Sequence, residues 1–193
     1  MALNNVLELA APSPRVTGGI LRAAVGTTLP TTAIGAPDAA FKNLGHVGVD
    51  GVERTEDRSN KEENNWGGDL VAVLQEKYGL ELKFKLLQVM NADVQKAVHG
   101  SGNVTVTPAS TTSGAEIAAK LNSKLLDTGA WLIEGFYNLI SMRLVIPIGR
   151  ITSVGPLKWV HSELAAYECT LKPFPDTDGN HGYQYWNDGV VTI

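Results

Sequence analysis

Cysteine is all but missing: Cys169 is the one thiol among 193 residues. A single cysteine excludes an intrachain disulfide framework and cannot by itself build a thiolate metal centre, so it reads as a small buried hydrophobe. A basic cluster is lacking too. Sixteen Lys and Arg face 20 Asp and Glu, a formal net charge of −4, and no run of cations could neutralise a row of phosphates. Specific nucleic-acid binding is therefore not expected, although a mildly acidic wall would let DNA pass without sticking. No stretch reaches the ~18 continuous apolar residues of a membrane span. The first nine residues carry no basic cluster, and Pro12 and Pro14 break the apolar stretch that follows, which argues against a secretory signal. The expectation is a soluble chain made in the cytoplasm, with no membrane insertion.

The motifs of catalysis are equally scarce. His46, His99, His161 and His181 lie far apart and form no HExxH or paired-ligand spacing. There is no GxSxG elbow and no P-loop, and Gly45, Gly48 and Gly51 are wrongly spaced for a dinucleotide fingerprint. Asp176, Asp178 and Gly179 resemble the start of a calcium loop, but the glycine comes too early and no acid stands at the twelfth position. A Pro-Asp turn explains them more simply. Glu62 and Glu63 sit in a hydrophilic run without the apolar surroundings that would raise a carboxylate for acid catalysis. No catalytic, cofactor-binding or metal residue is assigned, and the chain is not read as an enzyme.

What is present is an ordinary globular composition, 44% hydrophobic and 19% charged, with 20 glycines and nine prolines scattered among short apolar runs. That texture predicts many turns and a mainly β domain with one core. Residues 1–44, rich in Ala, Gly, Pro and Thr, read as an extended N-terminal arm that is ordered, if at all, on another surface. Residues 45–193 read as a single β-rich domain.

Along that domain, 45–51 reads as a turn-flanked strand and 53–65, a mixture of acids and bases, as a solvated loop or polar contact surface. Leu80, Leu82, Phe84 and Leu86 alternate with Glu81, Lys83 and Lys85, the pattern of a half-buried strand. With 69–78 it suggests a hairpin turning near Gly79, or one long bent strand. Asn91 as N-cap, Asp93 in the first turn, Val94, Ala97 and Val98 on one stripe and Gly100 past the end predict a short helix packed on the sheet. Val104 and Val106 mark a strand stopping at Pro108. Residues 116–126 fit strand or helix, with strand preferred. Strands are expected over 131–137 and 142–148, with Pro147 marking an edge or bulge, then over 151–159 and 164–172, the last ended by Pro173 and Pro175. The tail from Asp176 reads as a last hairpin or an arm.

The order of these features is distinctive. Gly45-His46-Val47-Gly48-Val49-Asp50-Gly51, a charged loop, Trp66-Gly67-Gly68-Asp69, a strand pair and Asn91-Ala92-Asp93-Val94 are followed by Arg143-Leu144-Val145-Ile146-Pro147 and Leu171-Lys172-Pro173-Phe174-Pro175-Asp176. Taken together this resembles the major tail tube proteins of long-tailed (siphovirus-type) phages, especially those of actinobacterial hosts, over about three quarters of the chain. The weight lies in order and spacing, since each motif alone is a turn or strand signal. The resemblance implies a β-sandwich or barrel-like subunit with one flanking helix, whose copies join sheets into rings, usually hexamers, that stack into a tube conducting DNA. It implies as partners the tape-measure protein, the tail terminator and the tail-tip proteins.

Within that frame the candidate contacts between subunits are Arg54, Glu56, Asp57, Arg58, Lys61, Glu62, Glu63 and Trp66, the cations meeting acids across a boundary and Trp66 anchoring the loop's return into the sheet. Two other readings stay open: another virion ring protein such as a head-tail connector or terminator, and a carbohydrate-binding β-sandwich stacking sugars on Tyr183, Tyr185 and Trp186.

Overall fold

A computed structural model describes residues 10–14 and 19–190. The strands, in chain order, are β1 (Ser13–Pro14), β2 (Ile20–Ala23), β3 (Lys42–Asn43), β4 (Val47–Asn64), β5 (Leu70–Leu86), β6 (Val104–Thr107), β7 (Glu116–Ala119), β8 (Gly129–Tyr137), β9 (Ile140–Val154), β10 (Tyr167–Phe174) and β11 (Tyr183–Asn187), with one helix, α1 (Ala92–His99), between β5 and β6. Nine strands form one antiparallel sheet in the order β3-β2-β8-β9-β10-β5-β4, with β1 added to β8 and β11 to β9, while β6 and β7 make a separate pair next to α1. The fold is mainly β, as the composition predicts, and sandwich-like, as the resemblance implies.

The core follows from the period of two. Leu80, Leu82, Phe84 and Leu86 of β5 and Tyr167, Cys169 and Leu171 of β10 all point into one cluster with Trp131, Ile146 and Ile151. Outward, Lys83, Lys85 and Lys172 pair with Glu81 and Glu168 across the solvent face. Each fully buried Leu contributes roughly 1.5–3 kcal/mol, so the cluster dominates the stability of the body. The helix closes it as expected: the Asn91 side chain accepts from the Asp93 amide, Gly100 caps the other end, and Val94, Ala97 and Val98 are buried.

A second cluster, Ala23, Phe41, Ala130, Leu132 and Val145, lies on the other face of β2, β8 and β9. Apolar residues on both faces explain why Ala130-Trp131-Leu132-Ile133 is a continuous apolar run. From Ile20 the N-terminal segment lies against this chain's own sheet: β2 pairs with β8, and Ile20, Phe41 and Leu44 are buried. Residues 1–9 and 15–18 fall outside the described residues.

Arg143 holds this cover in place. Its Nε donates to Glu134 Oε1 at 2.7 Å, Nη1 to the Thr32 carbonyl at 2.7 Å and Nη2 to the Gly35 carbonyl at 2.7 Å, and both Arg143 and Glu134 are buried. A buried ion pair offsets its desolvation only when its remaining hydrogen-bonding capacity is used, and here the loop carbonyls use it. In the sequence Arg143 is only the first residue of an apolar strand motif, because the Thr32 and Gly35 carbonyls it binds lie more than a hundred positions away.

Several expected boundaries are corrected. Residues 53–65 are not a loop: through Asn64 they belong to the 18-residue strand β4, paired with β5 from Val47↔Leu86 to Asn64↔Leu70. A hydropathy reading sees no buried face there because the strand has none, yet the ladder still satisfies its main chain. Of the two alternatives for 69–86, the structure has the one long strand: the chain does not turn at Gly79, which pairs with Asp57 in the middle of β5. The strand of 45–51 carries an irregularity, since Val47 and Val52 pair with Leu86 and Phe84, leaving 48–51 bulged outward with Val49 fully exposed. The strands expected over 142–148 and 151–159 are one strand, β9, ending at Val154. Pro147 sits within it where the β8 register shifts, between the pairs Trp131↔Ile146 and Gly129↔Gly149, so it marks a bulge in an inner strand. Pro173 pairs with Gly149 inside β10 and does not end it. Of 116–126, only Glu116–Ala119 is strand. The tail returns as β11, antiparallel to β9.

Candidate assembly surfaces

The eight candidate contact residues are brought together on one element. Beyond the level of Asp57 and Gly79, β4 and β5 pair only with each other, because β10 meets β5 only from Leu82 to Leu86. The remaining pair is a two-stranded ribbon. At roughly 3.3 Å per residue it carries its turn about 23 Å past that level. Asn65 and Asp69 close the turn: the Asp69 amide donates to the Asn65 side-chain oxygen at 2.9 Å and the Gly68 amide to the Asn65 carbonyl at 3.0 Å. Gly68 takes φ +90 there, a conformation glycine adopts without strain.

Two features set the ribbon apart from the body. An isolated two-stranded hairpin is only marginally stable in water, and this one is apolar where none of the described residues covers it: Leu70, Val71, Val73 and Leu74 are each more than half exposed. Trp66 at the turn is 105% exposed relative to a free residue. It does not anchor the ribbon to the sheet, which corrects the role expected from its place before two glycines; the turn stands too far out for its ring to reach the body.

The charges are arranged locally. Arg54 lies 3.5 Å from Glu56, Arg58 lies 3.9 Å from the same Glu56, and Lys61 pairs with Glu63 at 2.5 Å. These are i, i+2 neighbours on one strand face, and all are exposed. Such pairs are worth about 0–1 kcal/mol, so exchanging them for partners elsewhere costs little. Asp57 and Glu62 form no ion pair among the described residues.

The ribbon's base is braced. Arg58 lies over the Tyr78 ring at 4.7 Å, and His181 meets the same ring edge-on at 4.9 Å. Arg54 Nη1 donates to Gln184 Oε1 at 2.6 Å, joining β4 to β11. This brace joins residues about a hundred positions apart, and no local pattern signals it. Next to it opens a largely apolar groove of about 620 Å³ whose walls include Val52, Ile133, Leu144 and Trp186.

The other candidate features resolve into packing. Tyr183 and Tyr185 lean on the second cluster, while Trp186, between them and Asn187 on the alternating strand, takes the opposite face, so the three rings do not form one stacking platform. Asp176 organises its turn by accepting from the Asp178 and Asn180 amides and from the Tyr183 hydroxyl at 2.6 Å. The Tyr183 hydrogen bond, first, and those amides hold its carboxyl below the usual range. His99 stacks edge-on against Tyr167, and burial lowers its pKa. Burial pushes the Cys169 thiol up to about 12, so it stays protonated and unreactive at neutral pH. Among the described residues no helix is long and apolar enough to cross a membrane.

Comparison with known proteins agrees with a structural reading. A family model described as phage tail tube protein matches residues 1–189. No curated protein matches the chain.

Proposed function

The chain belongs to the phage tail tube protein family, a structural component of the virion tail and not a family of enzymes, and from that membership we propose that it is the major tube subunit of a siphovirus-type tail, in a phage of an actinobacterial host. In this reading copies join into rings, taken as hexameric, and the rings stack into the tube through which DNA passes. The tape-measure protein, tail terminator and tail-tip proteins are its partners, and assembly takes place in the host cytoplasm.

The observation that carries the proposal is the β4–β5 ribbon, a self-paired projection with an uncovered apolar strand and a fully exposed tryptophan. A second copy covering it would convert a marginal hairpin into a packed element. Arg54, Glu56, Asp57, Arg58, Lys61, Glu62, Glu63 and Trp66 are the contact residues in this account, with Arg54, Arg58 and Lys61 trading weak intrachain partners for acids across the boundary. The N-terminal segment 1–44 is kept as a second contributor to contacts between copies. The net charge of −4 suits a wall past which DNA slides.

Negative-stain electron microscopy of the concentrated protein, with light scattering alongside, tests this. Hollow tubes or stacked rings are expected. Isolated rings that never stack would favour a connector or terminator, and a persistent monomer stabilised by sugars would favour the carbohydrate-binding module.

A further inference from the structure

Three aspartates in the chain are followed by glycine: Asp50-Gly51, Asp178-Gly179 and Asp188-Gly189. With no Cβ to shield it, a glycine amide nitrogen can reach the carboxyl carbon of the preceding side chain and close a five-membered succinimide. That closure needs both groups free. Two of the three pairs are tied. The Gly179 amide donates to the Asp176 carbonyl at 3.1 Å, inside the turn that Asp176 organises. The Gly189 amide donates to Asn187 Oδ1 at 2.8 Å, and Asp188 Oδ1 itself accepts from the Val190 amide at 3.0 Å.

Asp50-Gly51 stands differently. It lies in the bulge of β4 between the pairs Val47↔Leu86 and Val52↔Phe84, so neither residue has a partner in β5. Both are exposed. Gly51 takes φ +68 with open space around it, and Asp50 forms no ion pair among the described residues. The bulge also accommodates the product. Routing the main chain through a side-chain carbon adds one backbone atom, which in a regular ladder shifts every later pair. Here 48–51 already arch between two ladder pairs, and a longer arch leaves both pairs in place. At Asp178 the same extension would pull apart the Asp176 turn. At Asp188 it would disturb the close seat of Gly189 on Leu139, whose carbonyl oxygen lies 2.6 Å from where a Cβ would stand.

We propose that Asp50-Gly51 is a site of spontaneous covalent modification in the folded protein, passing through a succinimide to isoaspartate, and that the other two Asp-Gly pairs are protected from it. With the Asp50 carboxyl in its acid form, the Gly51 nitrogen bonds to Asp50 Cγ and the Cγ–OH bond breaks. The amide proton and the hydroxyl leave together as water. One water then adds back. Cleavage of the Cγ–N bond returns aspartate, whereas cleavage of the bond between the nitrogen and the Asp50 main-chain carbonyl carbon leaves the chain running through Cγ and the former carbonyl as a free carboxyl. Water is the only co-reactant, and no electrons are transferred. The inference is independent of the tube reading, because it rests on the bulge and on the two tied turns alone.

The full chain is aged at neutral pH, folded in one sample and in denaturant in another. Isoaspartate is labelled by an isoaspartyl methyltransferase and located by peptide mass spectrometry with electron-transfer fragmentation, and the succinimide is read as a peptide lighter by one water. In the folded sample the peptide spanning 50–51 should carry roughly tenfold or more isoaspartate than those spanning 178–179 and 188–189, since a tied pair must first open before it can react. In denaturant the three should label comparably. Asp50→Ser should remove the signal at 50–51 and leave the other two pairs as they are in wild type. Comparable labelling of all three pairs in the folded protein, or labelling of 50–51 in denaturant only, overturns the proposal.

Discussion

The body and the ribbon are built from the same strand, β5, under opposite rules. Below Gly79 its alternate residues Leu80, Leu82, Phe84 and Leu86 are all buried against Trp131, Leu171 and the helix. Above it Leu70, Val71, Val73 and Leu74 stand in solvent on a two-stranded projection. The body is held by burial, whose strength is fixed within the monomer, whereas the ribbon has main-chain pairing and a few weak ion pairs. One chain thus carries a half with a closed core and a half whose apolar surface is exposed, and the two should respond differently to perturbation.

The largest effect is expected in the body. Trp131 is 1% exposed and packs on Phe84, so Trp131→Ala should cost about 3–5 kcal/mol in denaturant unfolding. Trp66→Ala, at the other extreme of exposure, should leave the monomer's unfolding midpoint unchanged while abolishing tube formation. Comparable losses from the two would break the distinction between the regions. Arg143→Ala should cost about 3 kcal/mol, since it leaves Glu134 buried without its cation and strips the Thr32 and Gly35 carbonyls of a donor. Limited proteolysis within 24–41 should accelerate in that variant.

A smaller effect locates the border. Tyr78 is gripped by Arg58 and His181, and His181→Ala should lower stability by only about 0.5–1.5 kcal/mol while speeding amide exchange in the ribbon more than in β10. Cys169 supplies a pH test of the body alone. Its folded pKa of about 12 lies above the ordinary thiol value, so its stabilising contribution is complete below the unfolded pKa and is lost as pH rises through the window up to about 12. Alkylation at pH 8 should be negligible in the native protein and complete in denaturant. The smallest change is expected from Lys61→Ala, within about 0.5 kcal/mol, because its partner Glu63 is on the surface.

The body was legible in the sequence and the ribbon was not, for one physical reason. Hydropathy patterns report burial within the chain. They reveal β5 from Leu80 onward and the whole of α1 with its Asn91 cap, because those residues face this chain's own core. In residues 53–65 no face is buried, so the strand looks like a loop, and Gly79 looks like a turn because the apolar periodicity begins after it. The long inner strand β9 was divided at Pro147, whose bulge allows the proline to remain in the ladder. The grip of Arg143 on the Thr32 and Gly35 carbonyls and the packing of His181 on Tyr78 depend on partners distant in sequence. The candidate contact residues are legible only as a dense run of charge over 54–63 followed by Trp66; that β4 and the turn after it carry them is not.

The most direct measurement of the central claim is hydrogen exchange of the ribbon amides, residues 55–79, in the free protein and in the assembled state. Fast exchange is expected in the monomer, well ahead of β8 to β10, and strong protection once copies are joined. Equal exchange of the ribbon in both states would contradict it, showing that the projection is not the element that a neighbouring copy covers.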